Sequence, residues 1–204
     1  MWFVGMVLVA AQGLPVLGDN AGDNLKQYFP AIVRNAPIPA SVLRGYLGVG
    51  VNSNGDIYTV RADGSELTNL TEISNAVFST PRFSPDGRRI VFAQKQGTQY
   101  QVGLMNANGS QPTLLLPYSF SEAPHFEWSP NGLEVLVWGR RINNPELADL
   151  FRVSLVDATV VPLVEGNAAE NLWGWSADGS YVHYKKGADL WITPTTSSEA
   201  VRVS

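Results

Sequence analysis

The chain has no cysteine, which excludes disulfides and thiolate metal sites. Exported proteins are permitted disulfides but do not require them, so this absence leaves the compartment open. Histidine is nearly absent too. His125 and His183 are far apart, and no His-x-x-x-His pair exists to hold a catalytic zinc. Charge is sparse at 16%, and the 14 Lys and Arg residues never run longer than the pairs Arg88-Arg89, Arg140-Arg141 and Lys185-Lys186. With a net charge of −4, the chain lacks the basic stripe that a nucleic-acid partner requires. No apolar run reaches the roughly 20 residues of a membrane-spanning helix. There is no glycine-rich phosphate loop, and the nearest approach to a serine-hydrolase elbow, Gly174-Trp175-Ser176-Ala177-Asp178, ends in Asp where the motif needs Gly. The expectation is a chain with no catalytic residues, no metal and no cofactor.

What is abundant points to packed sheet. Apolar residues make up 45%, with 6 Trp, 7 Tyr and 8 Phe, and 19 Gly and 13 Pro are available for tight turns. The first eleven residues, Met1 to Ala11, are apolar and end in small residues before Gln12, Gly13 and Pro15. They resemble the hydrophobic region of a secretory signal, although no Lys or Arg precedes Lys26. Residues 1–17 are therefore read as a signal-like segment or N-terminal anchor, implying a periplasmic or extracellular location, and 18–44 as a Gly- and Pro-rich linker. Within it, Asp19-Asn20-Ala21-Gly22-Asp23 has the look of a calcium loop, but its twelfth position is Pro30, so it is read as a turn.

From residue 45 onward the sequence repeats with a period of about 45 residues. Phe83-Ser84-Pro85-Asp86-Gly87, Trp128-Ser129-Pro130-Asn131-Gly132 and Trp175-Ser176-Ala177-Asp178-Gly179 each precede an apolar run. The aromatic closes one strand, Pro or its substitute opens a turn, Asp or Asn tolerates it, and Gly supplies the positive φ. A second strand–turn–strand unit follows each time. Asp56–Val60 leads to Asp63-Gly64 and Leu67–Thr71, Gln101–Met105 to Asn108-Gly109 and Pro112–Leu116, Asp149–Val153 to Asp157-Ala158 and Val161–Val164, and Asp189–Thr193 to Ser197-Ser198 and Val201–Val203. Four short strands per period predict an all-β fold, a β-propeller of four-stranded antiparallel blades. The blades are expected at about 45–71 (lacking its first strand), 79–116, 124–164 and 171–204.

In these motifs the chain resembles the TolB-type, WD40-like β-propeller repeat family. Trp128–Gly132 and Phe83–Gly87 match its Trp-Ser-Pro-Asp-Gly element closely, and Asp63-Gly64 and Leu70-Thr71 match its second half. The third unit departs, with Ala177 for Pro and no Gly after Asp157. The resemblance covers residues 45–204 and implies a binding platform. Such repeats occur both in the Tol-Pal component and in the propeller domains of prolyl-oligopeptidase-like enzymes.

Two function classes follow. One is a non-catalytic module recognising a protein, peptide or cell-envelope polymer. The other is the propeller domain of a larger serine hydrolase whose catalytic domain lies outside this chain. A structural spacer is a third reading. The candidate binding residues are Arg82, His125 and Glu127. Arg82 and Glu127 precede the inner-strand aromatics and alternate onto the opposite face, with Gly174 third in that series. The bland reading is that Arg82 and Glu127 are solvated or paired. His183 alternates with Val182 and Tyr184 and reads as a packed or edge residue. Three full blades and one partial blade predict a fragment or an incomplete ring. The alternative is that Phe29–Val33 supplies the missing strand and closes a four-bladed ring.

Overall fold

The computed structural model describes residues 47–51, 55–61, 66–71, 76–165, 168–196 and 199–203. The signal-like segment, the linker, the Phe29–Val33 patch and the Asp63–Gly64 and Ser197-Ser198 turns lie outside the described residues. Every assigned element is a strand, and among the described residues no helix is long and apolar enough to cross a membrane. The chain divides into two compact units, residues 1–81 and 82–204.

In the first unit, β1 (Leu47–Val51), β2 (Ile57–Arg61) and β3 (Thr68–Asn69) form an antiparallel sheet in that order. Ile57 is fully buried, and its amide donates to Thr71 Oγ1 at 2.8 Å.

Three four-stranded antiparallel sheets follow, each in simple sequence order. The first holds β4 (Val77–Phe83), β5 (Arg89–Gln96), β6 (Gln99–Asn106) and β7 (Thr113–Phe120). Next come β8 (His125–Trp128), β9 (Glu134–Gly139), β10 (Asp149–Ser154) and β11 (Val160–Val164). The last holds β12 (Ala168–Trp175), β13 (Tyr181–Lys186), β14 (Asp189–Pro194) and β15 (Val201–Arg202). They are called blades two, three and four below.

The repeated turn explains why each blade starts as it does. Ser84, Ser129 and Ser176 donate their hydroxyls to Asp86, Asn131 and Asp178 at 2.6, 2.7 and 2.6 Å. Each hydroxyl also accepts the amide five residues on, of Arg89, Glu134 or Tyr181. The Asx side chain in turn accepts the amide two residues ahead. Gly87, Gly132 and Gly179 close these turns at φ 69°, 69° and 72°, a region that costs L-residues a Cβ clash. Where the third unit lacks glycine in its second turn, Ala158 takes φ 58° in the place of Gly109 at φ 82°.

Blade three is apolar on both faces because both are covered. Val135 and Val137 of β9, with Phe126, Phe151 and Val153, join Val91, Ala93 and Val102 of blade two in one core. Leu136 and Trp138, with Leu150 and Val164, join Trp175, Val182 and Tyr184 of blade four in another. Successive residues of one strand thus feed two inter-blade cores.

Two further contacts repeat from blade to blade. The Trp128 indole N–H donates to the Arg82 carbonyl at 3.2 Å, and the Trp175 indole N–H to the Glu127 carbonyl at 3.3 Å. The Pro85 ring lies 3.5 Å from where a side chain on Gly132 would begin, and Pro130 lies 3.3 Å from that point on Gly179. The motif's aromatic, proline and glycine are thus blade-to-blade contacts as well as turn residues.

Candidate functional site

His125 and Glu127 are the first and third residues of β8, so pleating puts both on the side of blade three that faces blade four. Phe126, between them, points into the core with blade two. The His125 ring stands edge-on to Trp138, its partner in the β8–β9 register, at 5.4 Å between centroids. The Arg140 guanidinium lies 5.9 Å from the same indole and pairs with Glu122 at 2.7 Å. Arg82 sits one blade earlier, near the end of β4, and meets β8 through its backbone carbonyl. Burial pushes its guanidinium below its ordinary value.

Glu127 has the least ordinary setting. Its side chain reaches the inner strand of blade four. There Oε1 faces the Trp175 amide at 3.5 Å, and Oε2 lies 3.1 Å from the position a Cβ on Gly174 would occupy. The His183 ring meets the same point, with Cε1 at 3.1 Å and Nε2 at 3.3 Å. Gly174 and His183 are register partners across β12 and β13, and any side chain at 174 would fill the space they share with Glu127. Loss of hydration raises the Glu127 carboxyl above its ordinary range. The Trp175 amide and the His183 ring pull it back only in part. A hydrogen bond at 3.5 Å is at the outer limit of usefulness, so among the described residues the half-buried carboxylate is poorly satisfied.

His183 is exposed and belongs with Glu127, which pattern reading does not reveal. Alternation alone makes it a packed or edge residue. The pairing that brings it to Gly174 depends on strand register. The signal available in the sequence was the glycine at 174, in the place of Arg82 and Glu127.

The serine hydroxyls of the repeat are committed to their turns, Ser176 to Asp178 at 2.6 Å and to the Tyr181 amide at 2.9 Å. Among the described residues no group of three or more His, Cys, Asp or Glu side chains is placed to hold a metal ion. Among the described residues the ion pair with the most buried carboxylate is architectural. Arg141 bonds the fully buried Asp149 at 2.7 Å and Glu165 at 3.2 Å, with its guanidinium 5.5 Å from the rings of both Tyr118 and Phe151.

No family model matches the sequence, and no curated protein matches it. Solved structures do match. A protein assigned as TolB from Agrobacterium tumefaciens aligns over 75% of this chain and 56% of its own, with TM-score 0.56 and 18% identity. TolB from Acinetobacter baumannii aligns over 76% and 40%, with TM-score 0.55 and 14% identity. The β-propeller domain of the Trilobed protease from Pyrococcus furiosus, described as having an open velcro topology, aligns over 78% and 52%, with TM-score 0.54 and 13% identity. The chain thus spans about half the length of the structures it resembles. At these identities the likeness is one of fold, and the chain has the β-propeller fold that TolB has.

Proposed function

We propose that this chain is a non-catalytic recognition module. It would bind a protein, peptide or cell-envelope polymer through inner-strand residues of its blades, with Arg82, His125 and Glu127 as the binding set. The observation that carries this reading is Glu127, a half-buried carboxylate held, among the described residues, by a single long hydrogen bond at 3.5 Å. Under-satisfied buried charge is costly, and binding a complementary group is one way to offset it. The commitment of the repeat's serines to turn hydrogen bonds supports the non-catalytic side of the reading. The apolar run Met1–Ala11 supports export to the periplasm or beyond.

The second reading is a propeller domain of a larger hydrolase, favoured by the likeness to a protease's β-propeller domain. Panning the immobilised protein against phage-displayed random peptides, and sedimenting it with purified peptidoglycan, tests the first. Enriched peptides or sedimentation should weaken at least about tenfold in the Arg82→Ala/His125→Ala/Glu127→Gln triple variant, the size expected for losing one charged partner. Absence of any binding above a blank, or binding untouched by the triple variant, refutes the recognition reading.

A further inference from the structure

The pattern Asn-x-Ser/Thr, which marks acceptors of N-linked sugars, occurs at Asn69-Leu70-Thr71 and at Asn108-Gly109-Ser110. Both segments make local hydrogen bonds, and the structure separates them by what that bonding leaves over. Thr71 is 4% exposed, and its Oγ1 accepts the Ile57 amide at 2.8 Å. Asn69 Oδ1 accepts the Thr71 amide at 2.9 Å, and Asn69 Nδ2 donates to the Tyr58 hydroxyl at 3.1 Å. Both ends of the Asn69 amide and the threonine hydroxyl are thus used inside the first sheet. Asn108 instead sits at the exposed tip of the β6–β7 turn in blade two. Its Oδ1 accepts the Ser110 amide at 3.0 Å and the Ser110 hydroxyl at 2.6 Å, and that hydroxyl accepts Asn106 Nδ2 at 2.9 Å. All of this engages only the carbonyl oxygen of Asn108. A carboxylate serves the turn equally well. Blade three has Asp157 in the same place, and its Oδ1 accepts the Thr159 amide at 3.1 Å. The turn therefore calls for an acceptor oxygen alone, and the amide nitrogen of Asn108 is surplus to it. Among the described residues Asn108 Nδ2 makes no hydrogen bond.

We propose that Asn108 is an N-glycosylation site on the folded chain and that Asn69 is not. The donor is a sugar activated at its anomeric carbon as a diphosphate, carried by a polyprenyl lipid or by a nucleoside. The Asn108 amide nitrogen attacks that carbon. A C–N bond forms as the C–O bond to the diphosphate breaks, and the diphosphate leaves with the electron pair of that bond. One amide proton passes to a base of the transferase, and nothing is oxidised or reduced. An amide nitrogen is a weak nucleophile because its lone pair is shared with the carbonyl, so activation belongs to the transferase. The fold supplies presentation. With Oδ1 held toward Ser110, Nδ2 is turned the other way, on an exposed residue. Gly109, at φ 82°, puts no side chain beside it. The Gly109 amide bonds the Asn106 carbonyl and the Asn106 amide bonds the Ser110 carbonyl, both at 2.9 Å, so the tip is held in this form. No residue of the binding set takes part, and the inference stands apart from the recognition reading.

The test offers the purified, folded chain to two transfer systems. One is a soluble asparagine glucosyltransferase with UDP-glucose. The other is a membrane oligosaccharyltransferase with its polyprenyl-diphosphate oligosaccharide. Intact mass and peptide mapping read the product. At least one system should add a single glycan, on Asn108, and leave Asn69 unmodified, and the system that works identifies the carrier. Asn108→Asp keeps the acceptor oxygen of the turn, as Asp157 does in blade three, and should abolish transfer with an unchanged circular dichroism spectrum. Ser110→Ala should abolish it too, whereas Ser110→Thr, which carries the same hydroxyl, should retain it. Should a variant fail to fold, the peptide map of the unaltered chain decides alone. Transfer from neither donor, in a mixture where a reference acceptor protein is modified, would overturn the proposal. So would a glycan on Asn69 of the folded chain, product that persists in Asn108→Asp, or transfer indifferent to Ser110→Ala.

Discussion

The indole of Trp175 offers a direct measure of what joins blade to blade. It is 8% exposed, packs in the core with Leu136, Trp138 and Tyr184, and donates its N–H to the Glu127 carbonyl at 3.3 Å. Truncation to alanine removes the ring and leaves a cavity, for which buried large aromatics lose about 3–5 kcal/mol. Replacement by phenylalanine keeps most of the apolar surface but removes the donor and strands a carbonyl, a loss of about 1–2 kcal/mol. At roughly 2–4 °C per kcal/mol for a chain of this size, Trp175→Phe should melt a few degrees lower and Trp175→Ala more than twice as far below wild type. Trp128 makes the equivalent bond to Arg82 at 3.2 Å. Trp128→Phe should therefore match Trp175→Phe, and the double variant should lose the sum, because the two indoles serve different carbonyls. Urea titrations read by circular dichroism give these differences. If Trp175→Phe proved as damaging as Trp175→Ala, or cost nothing, the indole hydrogen bond would not be an element of blade docking.

Three further outcomes are expected. Ala158 holds φ 58° where the preceding blade has Gly109, so Ala158→Gly should raise stability by about 1 kcal/mol, measured as a shift in the urea midpoint, and a fall would contradict a strained turn. The Ser176 and Ser180 hydrogen bonds hold the Asp178 carboxyl down to about 2. Its contribution is therefore present above the unfolded value near ~3.9 and lost as pH falls toward 2. Asp178→Asn should reduce the fall of the urea midpoint over that window, and an unchanged slope would sink the argument. Glu127 has the opposite sign. Its folded carboxyl titrates above its unfolded value, so ionisation works against folding at neutral pH, and this penalty disappears below the unfolded value near ~4.3. Glu127→Gln should accordingly melt higher than wild type at pH 7 and equally at pH 3, and a lower melting temperature at pH 7 would show the carboxylate to be well satisfied.

The division between what was legible in the chain and what was not follows the range of the forces involved. Strand, turn and repeat were readable because they are local. Ser84, Pro85, Asp86 and Gly87 close their turn with hydrogen bonds spanning two to five residues, and the same chemistry recurs at Ser129 and Ser176. The placement of Glu127 on the face opposite Phe126 likewise needed only the two-residue period of a strand. The end of β7 was less visible. Tyr118 and Phe120 continue the strand beyond Leu116, past a register shift against β6, and Phe120 is fully buried, a fate set by neighbours distant in sequence. His183 shows the limit most clearly. As a letter between Val182 and Tyr184 it is a packed or edge residue. Only the pairing of β12 with β13 sets it opposite Gly174, and only the docking of blade three on blade four carries the Glu127 carboxylate to the same point. The sequence alone thus determined the all-β repeat and its turns, because each is written within a few residues. Tertiary structure decided which side chains share a site, because that depends on register and on blade-to-blade packing over nearly fifty residues of separation.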